Sequence, residues 1–361
     1  MLTKVLNSNN LQKFLKRNHR HIGLDVGSHM IKAVEFASEP ENGFYPVINH
    51  GMVPLAEGAL AEGIIQKPEE VVQSLKGLTE QLGFQKKTTV TLGVTGKQII
   101  IRQMRLPKMP LEELDKALRF EAERYISVPL EETYLDYAII SETLSDGAAA
   151  YNLLVAAAPK QQINNICQVV EQAGLTPVAI DIEPIALFRF IHHCYSSKQL
   201  ANQAIVNIGH TCSHFVVFKE DTVQYNRIIP LAGNQLTKAI MQMMGKDVAA
   251  AEEEKHKVIR LRTPYQEEES LMQDDNRAKE VIVETLAGLV SEIQRSIDFY
   301  QMQAKVQLDR LIVTGGTANM QGFDLYLETE LRLPVLIGSY NGLDPIYSLA
   351  SGLALRDFTK I

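Results

Sequence analysis

Residues 23–35, GLDVGSHMIKAVE, have a near copy later in the chain, AIVNIGHTCSHFVV, and this repeat narrows the available folds more than any other feature. At one fixed offset Gly27 falls on Gly209, Asp25 on Asn207 and Phe36 on Phe218. Each copy is a short apolar run, a glycine with small polar residues, and a second apolar run that alternates. That is the pattern of a strand, a tight turn and a returning strand. Glycine at the tip removes the Cβ and permits positive φ, so backbone N–H groups there can meet an anion at close range. One Asp-x-Gly-Ser turn by itself is commonly only a turn, whereas a duplicated one is a property of the whole chain. The interval between copies is too long for a solenoid, so two similar lobes are expected. Two such tips facing each other would hold the phosphates of one nucleotide.

With 361 residues, 45% of them hydrophobic, the chain holds more than one core. Its net charge of −7, without a long basic stripe, argues against a nucleic-acid partner. The three cysteines, Cys167, Cys194 and Cys212, have no CxxC spacing and read as reduced thiols of a cytosolic protein. No apolar run reaches the roughly 20 residues that cross a bilayer, so no membrane span is expected. Residues 1–20 are basic, with Lys4, Lys13, Lys16, Arg17 and Arg20 among scattered apolar positions. They read as a frayed tail in preference to a segment lying on an anionic membrane.

In chain order, PVINHGMVPL reads as a strand, and Pro68 opens a helix with Glu69 and Glu70 in its first turn and Gly83 at its end. The strand TTVTLGV follows. The pattern then changes. IIIRQMRLP is a strand, Pro110 to Ile126 a helix with Leu111, Leu114, Leu118, Ala122 and Tyr125 on one face, TYLDYAII and AYNLLVAAA two strands around the turn SDG, and QQINNICQVVEQAGL a helix. This block reads as an inserted subdomain. VAIDIEPIALFRFI resumes strand and helix. Asp181 and Glu183 at that junction suit either chemistry at the carboxyl end of a strand or a helix start led by Pro184. After the second hairpin come a strand over YNRIIPLAGNQLT and a helix from Asn234. Residues 246–279 carry a dense acidic series and read as a solvated, mobile excursion. Val283, Leu286, Val290, Ile293, Ile297 and Tyr300 mark a long packed helix from Val281. RLIVTGG is a strand ending in glycines, Asn319 is a candidate start for the next helix, and 347–361 form a last one.

These pieces in this order resemble the actin-like ATPase superfamily, and within it the PilM family of type IV pilus assembly. The residues carrying the resemblance are GLDVGSHMIKAVE at 23–35, VPLEETYLDY at 128–137, DIEPIAL at 181–187, PLAGNQLT at 230–237, SEIQRSIDFY at 291–300, VTGGTANMQGF at 313–323 and ASGLALR at 350–356. FtsA, the cell-division relative, shares the inserted subdomain. The resemblance implies an α/β actin-like fold of two ribonuclease H-like lobes. The first would be 21–97 with 176–200 and 340–361, the insertion 98–175, and the second 201–339, after a tail at 1–20.

The resemblance also implies ATP with Mg²⁺ as cofactors. It puts Asp25, Gly27, Ser28 and Lys32 in the first phosphate loop, Asn207, Gly209 and Thr211 in the second, Glu252 and Lys255 at the ribose and base, and Gly315 and Gly316 at the adenosine. Glu183 would position an attacking water, and Asp25 would hold the metal through water. The second loop departs from the family pattern, with Asn207 where an acid is usual and Cys212 where a Thr or Ser is usual. An amide accepts hydrogen bonds but brings no charge to a metal. Hydrolysis is therefore expected to be slow or absent, making the protein at most a weak ATPase. The implied role is a cytoplasmic adaptor at the inner face of the cytoplasmic membrane. It would bind the N-terminal tail of PilN in company with other inner-membrane pilus assembly proteins, and self-association is open. The alternatives are an FtsA-like filament, which would call for a C-terminal amphipathic helix that the sequence does not show, and a phosphotransferase of the actin and sugar kinase superfamily.

Overall fold

In a computed structural model, residues 21–145, 147–195, 202–219, 222–257 and 273–358 are described, with backbone alone at 145, 256–257 and 273–278. The basic tail at 1–20 and the centre of the acidic stretch, 258–272, lie outside them. The described chain forms two compact units, one within Met1–Phe190 and Leu349–Ile361, the other Ile191–Ser348.

The first unit runs β1 (His21–Val26), β2 (Met30–Phe36), β3 (Val47–Pro54), the short pair β4 (Leu60–Ala61) and β5 (Ile64–Ile65), α1 (Pro68–Gln81), β6 (Thr89–Val94), β7 (Ile100–Pro107), α2 (Leu111–Ala122), β8 (Thr133–Ser145), β9 (Ala148–Pro159), α3 (Lys160–Gln172), β10 (Thr176–Ile182) and the start of α4 (Glu183–Cys194). Its main sheet has the order β10-β6-β1-β2-β3. β1 and β2 pair antiparallel from His21↔Phe36 to Val26↔Ile31, while β6 and β10 join β1 in parallel. β1 is buried on both faces from Ile22 to Val26, as a central strand of a covered sheet must be. α1 begins at Pro68 and lays Val71, Leu75 and Leu78 against the sheet.

Inside the inserted region, β7, β9 and β8 form a separate antiparallel sheet. α2 covers it with Leu114 and Leu118 against Leu106, Tyr151, Leu153 and Val155. α3, which the sequence groups with this block, packs mainly on α1 and β10. Gln162 fastens it there, donating from Nε2 to the carbonyls of Gly63 and Thr95 at 2.8 Å each.

The second unit contains β11 (Gln203–Ile208), β12 (Ser213–Lys219), β13 (Thr222–Ile229), α5 (Gly233–Met244), α6 (Val248–Lys257), α7 (Gln273–Ala304), β14 (Arg310–Thr314), α8 (Phe323–Leu331) and β15 (Val335–Ile337). Its sheet order is β13-β12-β11-β14-β15. β11 and β12 pair antiparallel from Gln203↔Phe218 to Ile208↔Ser213, and β14 lies parallel to β11. The repeat in the sequence therefore extends to topology: a hairpin, an antiparallel third strand outside it, and two parallel strands on the other side. α7 covers this sheet with Leu286, Val290, Ile293, Ile297 and Tyr300, and Val283 flanks them. Arg227 on β13 anchors it, donating to Glu292 Oε2 at 2.6 Å and Ser296 Oγ at 3.0 Å.

α9 (Ser348–Ala354) returns the chain to the first unit. It lies backbone to backbone there, because a Cβ on Gly23 of β1 would come within 2.0 Å of the Ala350 carbonyl oxygen.

Several boundaries differ from expectation for local reasons. α2 stops at Ala122, so Tyr125 leaves the apolar stripe and its ring lies 3.9 Å beneath the Arg102 guanidinium. The strand expected over 225–237 ends at Ile229, because Pro230 has no N–H to extend the ladder, and the helix starts at Gly233. Asn319 closes a 3-10 turn, Gly316–Asn319, and the following helix begins only at Phe323. The acidic stretch expected to be mobile includes a helix at 248–257 that buries Ala251 and Lys255, and α7 begins at Gln273, not Val281. The closing helix ends at Ala354 and tightens into a 3-10 turn, Leu355–Phe358.

Candidate functional site

Each unit presents its hairpin tip at the carboxyl ends of its parallel strands, the place where open α/β sheets take ligands. In the first unit the turn is closed by the Gly27 N–H donating to the Met30 carbonyl at 3.1 Å. A Cβ at Gly27 would lie 2.8 Å from that oxygen and 3.2 Å from Lys32 Nζ, so only glycine leaves the tip open. Ser28 is at the tip itself. Asp25 and Lys32 are direct cross-strand partners, and Lys32 Nζ donates to Asp25 Oδ2 at 2.7 Å. The two side chains are 12% and 13% exposed, so a paired acid and base meet at the loop with limited access to water.

Glu183 is the first residue of α4, directly beyond β10, and is buried. A carboxylate there is favoured by the helix dipole. β10 is separated from β1 by β6 alone, and all three run parallel, so Asp25 and Glu183 belong to the same edge of one sheet. Asp181 has another role. It is fully enclosed, ion-paired with Arg189, 3.9 Å from Arg356 Nε, and accepts the Ile182 N–H at 3.0 Å. Burial alone would raise its pKa, but the charges of Arg189 and Arg356 hold the carboxyl below the usual range.

In the second unit the Gly209 N–H donates to the Cys212 carbonyl at 3.2 Å, closing the equivalent turn, with Thr211 exposed at its tip. The loop is gripped from α5, where Gly233 N–H donates to Gly209 O at 3.1 Å and Asn234 N–H to His210 O at 2.8 Å. Asn207 accepts from Thr314 Oγ1 at 3.3 Å. A Cβ on Gly315, whose φ is +86°, would stand 2.8 Å from Asn207 Oδ1 and 2.3 Å from Ile208 O. That glycine therefore lets the strand-end loops close on each other, while Gly316 meets only Ile346 at 3.5 Å.

Glu252 and Lys255 of α6 point back to α5. Lys255 Nζ contacts Glu252 Oε2 at 2.6 Å and donates to Thr237 Oγ1 at 3.0 Å, while Thr237 Oγ1 lies 2.5 Å from Glu252 Oε1. A Cβ on Gly233 would stand 2.9 Å from Thr317 Oγ1, 3.3 Å from Gly209 O and 3.8 Å from Lys255 Nζ. The bare glycine thus keeps a space bordered by the second loop, the buried ammonium and a hydroxyl. The structure brings Asn207, Gly209, Gly315, Glu252 and Lys255 into one neighbourhood. It adds Gly233, Thr237 and Thr317, which the sequence reading passed over. The available signal was PLAGNQLT, where a glycine opens a helix and a threonine follows four residues later on the same face.

Burial alone would raise the Glu252 pKa, but hydrogen bonds from Lys255 and Thr237 and the nearby charges of Lys255 and His210 hold it below the usual range. Asp181 shares that sign. A carboxyl depressed in the folded state stabilises above its unfolded value, about 4, and that contribution is lost as pH falls through the folded value. Urea unfolding midpoints are therefore expected to be level near neutrality and to fall below about pH 4. Lys255→Met should lower the midpoint at pH 7 and flatten the acid decline; an unchanged profile would contradict the assignment.

Among the described residues no group of three His, Cys, Asp or Glu side chains could hold a metal ion by itself. One carboxylate, Asp25, beside open loops suits Mg²⁺ only as an ion carried on phosphates and met through water.

A family model described as type IV pilus assembly protein PilM matches residues 23–358. The cell division protein FtsA of Bacillus subtilis (strain 168) is 24% identical over 386 residues, covering 94% of this chain and 83% of that protein. FtsA of Pseudomonas aeruginosa is 22% identical over 382 residues, covering 94% and 89%. Among solved structures, the PilM-PilN type IV pilus biogenesis complex superposes with a TM-score of 0.79 at 25% identity, over 94% of this chain and 98% of that one. MreB 5 of Spiroplasma citri bound to AMPPNP superposes with a TM-score of 0.58 at 13% identity, over 95% and 97%. The fold is that of the actin-like ATPases.

Proposed function

The chain belongs to the type IV pilus assembly protein PilM family, and from that premise we propose that it is an ATP-binding adaptor that grips the N-terminal cytoplasmic tail of a PilN-type inner-membrane protein. The observation that carries this reading is the superposition on the PilM-PilN complex, which extends over nearly the whole of both chains. No described helix is long and apolar enough to cross a membrane. The proposed place of action is the cytoplasmic face of the inner membrane, reached through the partner.

For nucleotide binding, the glycine tips at Gly27 and Gly209 bring backbone donors to phosphate, with Ser28 and Thr211 beside them. Lys32 adds a positive charge that Asp25 holds in place. Asp25 would hold a phosphate-bound Mg²⁺ through water, Lys255 and Glu252 would hold the ribose and base, and Gly315 and Gly316 would leave room for the adenosine. When bound, Mg-ATP supplies the charge and bulk that favour one conformation of the protein over another. Asn207 brings no charge where a second acid would be expected, so Glu183 has little to work with and turnover is slow or absent. Binding, not hydrolysis, then sets the affinity for the partner.

Calorimetric titration with a synthetic PilN-type N-terminal peptide, with and without Mg-ATP, tests both parts. One-to-one binding whose affinity shifts about tenfold with nucleotide is expected. No binding in either state would remove the adaptor reading and return the function to its two alternatives, the FtsA-like filament and a phosphotransferase of the actin and sugar kinase superfamily. Steady ATP hydrolysis abolished by Asp25→Ala would overturn the slow-turnover reading.

A further inference from the structure

The second loop carries a pair of side chains that nucleotide binding does not require. Cys212 Sγ lies 3.5 Å from His214 Nε2. Cys212 is the residue before β12 and His214 the second residue within it, so the two alternate onto one face. His214 is 6% exposed, and its cross-strand neighbours, Asn207 on β11 and Ile228 on β13, are uncharged. Burial between those strands holds the imidazole in place, with Nε2 toward the sulfur. A thiol is a weak nucleophile until a neighbouring base takes its proton, and histidine is the usual base for that purpose.

The other two cysteines provide an internal comparison. All three are partly exposed, so access alone does not distinguish them. Burial, with a contribution from the charge of Glu171, pushes the Cys167 thiol up to about 11, and burial pushes the Cys194 thiol higher still. Neither has an imidazole as a hydrogen-bonding neighbour among the described residues.

We propose that Cys212 and His214 form a thiol–imidazole pair that makes the Gly209–Cys212 loop a site of selective modification by hydroperoxides. With the ring proton on Nδ1, Nε2 accepts the thiol proton. The thiolate sulfur attacks a peroxide oxygen, the S–O bond forms as the O–O bond breaks, and the departing oxygen takes the proton back from His214. The products are a sulfenic acid and water, or an alcohol from an organic peroxide; sulfur loses two electrons and the peroxide gains them. The Cys212 carbonyl closes the turn through Gly209 N–H, and Ser213 Oγ donates to Leu231 O at 2.6 Å, so the added oxygen sits on a firmly held loop. Resting on the reading of this loop as a phosphate cradle, modification there and nucleotide binding exclude each other.

The test uses the full-length protein. Hydrogen peroxide is added, sulfenic acid is trapped with dimedone, and each cysteine is followed by peptide mass spectrometry. Cys212 is expected to react at least about tenfold faster than Cys167 and Cys194 at pH 7, and His214→Gln to abolish that advantage without changing the other two. Because His214 is buried and its variant can fail to fold, the pH dependence of the Cys212 rate in the unaltered protein is measured as well. A rate already near its plateau at pH 7 supports the pair. A rate that rises only around the ordinary thiol value of about 8.5, or equal labelling of all three cysteines, overturns it. Protection of Cys212 by Mg-ATP supports mutual exclusion. Fast labelling without protection keeps the pair and removes the phosphate-cradle reading of the loop.

Discussion

Arg189→Met is expected to lower the free energy of unfolding by about 3–5 kcal/mol, the cost of stranding one partner of a buried ion pair. Asp181 has no exposed side-chain surface and Arg189 only 4%. With the guanidinium gone, the other arginine among the described residues that neighbours Asp181 is Arg356, whose Nε is 3.9 Å away, beyond hydrogen-bonding distance. The Ile182 N–H cannot by itself offset the lost solvation of a carboxylate. In the variant, desolvation dominates and the Asp181 pKa moves above its unfolded value. A raised folded-state pKa reverses the dependence expected of the parent, so the penalty should shrink as pH falls toward the carboxylate range. The double variant Asp181→Leu with Arg189→Met should recover most of the loss, because it removes the buried charge along with its partner. Urea unfolding of the three proteins at pH 7 and pH 5 measures all of this. A loss under about 1 kcal/mol for Arg189→Met would mean that water reaches Asp181 and the pair is ordinary. The consequence for the site is positional, since Asp181 precedes by two residues the Glu183 that opens α4.

Gly352→Val is expected to be as damaging, about 3 kcal/mol or more, and for a steric reason. A Cβ at Gly352 would lie 1.9 Å from the Ala186 carbonyl oxygen and 2.6 Å from its carbon. Those atoms are helix backbone and cannot swing aside. On its other side α9 meets β1, where a Cβ at Gly23 would lie 2.0 Å from Ala350 O and 2.5 Å from Ala354 N. α9 is thus held between α4 and β1 by two glycine contacts, and separating either shifts the strand that carries Asp25. Gly77→Ala is the control. Gly77 lies within α1 with nothing inside 4 Å of an added Cβ, so alanine there should be neutral or stabilise by up to about 1 kcal/mol. Thermal and urea unfolding of both variants provide the comparison; a Gly352→Val protein as stable as its parent would show that α9 is free to move off α4.

Much of the architecture was legible because its signals are local. Pro68 with Glu69 and Glu70 marks the start of α1, and the three-and-four spacing from Val283 to Tyr300 marks the buried face of α7. Boundaries set by single backbone groups were less so. The 3-10 turn at Gly316–Asn319 follows from the left-handed φ of Gly315 and the closing bond from Met320 N–H to Thr317 O, neither of which a pattern of side chains announces. The acidic composition of 246–257 concealed a helix, because the deciding residues are Ala251 and Lys255, which face inward while Glu252 and Glu254 are half-buried in ion pairs and Glu253 is exposed.

What the sequence determined by itself is the duplication. A hairpin with glycine at its tip, repeated at a fixed offset, implies two like sheets, because strand alternation and turn chemistry act over a few residues and are copied with them. Tertiary structure alone decided which polar residues act together. Asp181 belongs with Arg189 and Arg356 and not with the loop acids, Lys255 is buried against Thr237 and Glu252, and Cys212 faces His214. Charge and hydrogen-bond partners are set by desolvation and by distances of a few ångströms between segments remote in sequence, and those distances exist only once the sheets and helices have packed.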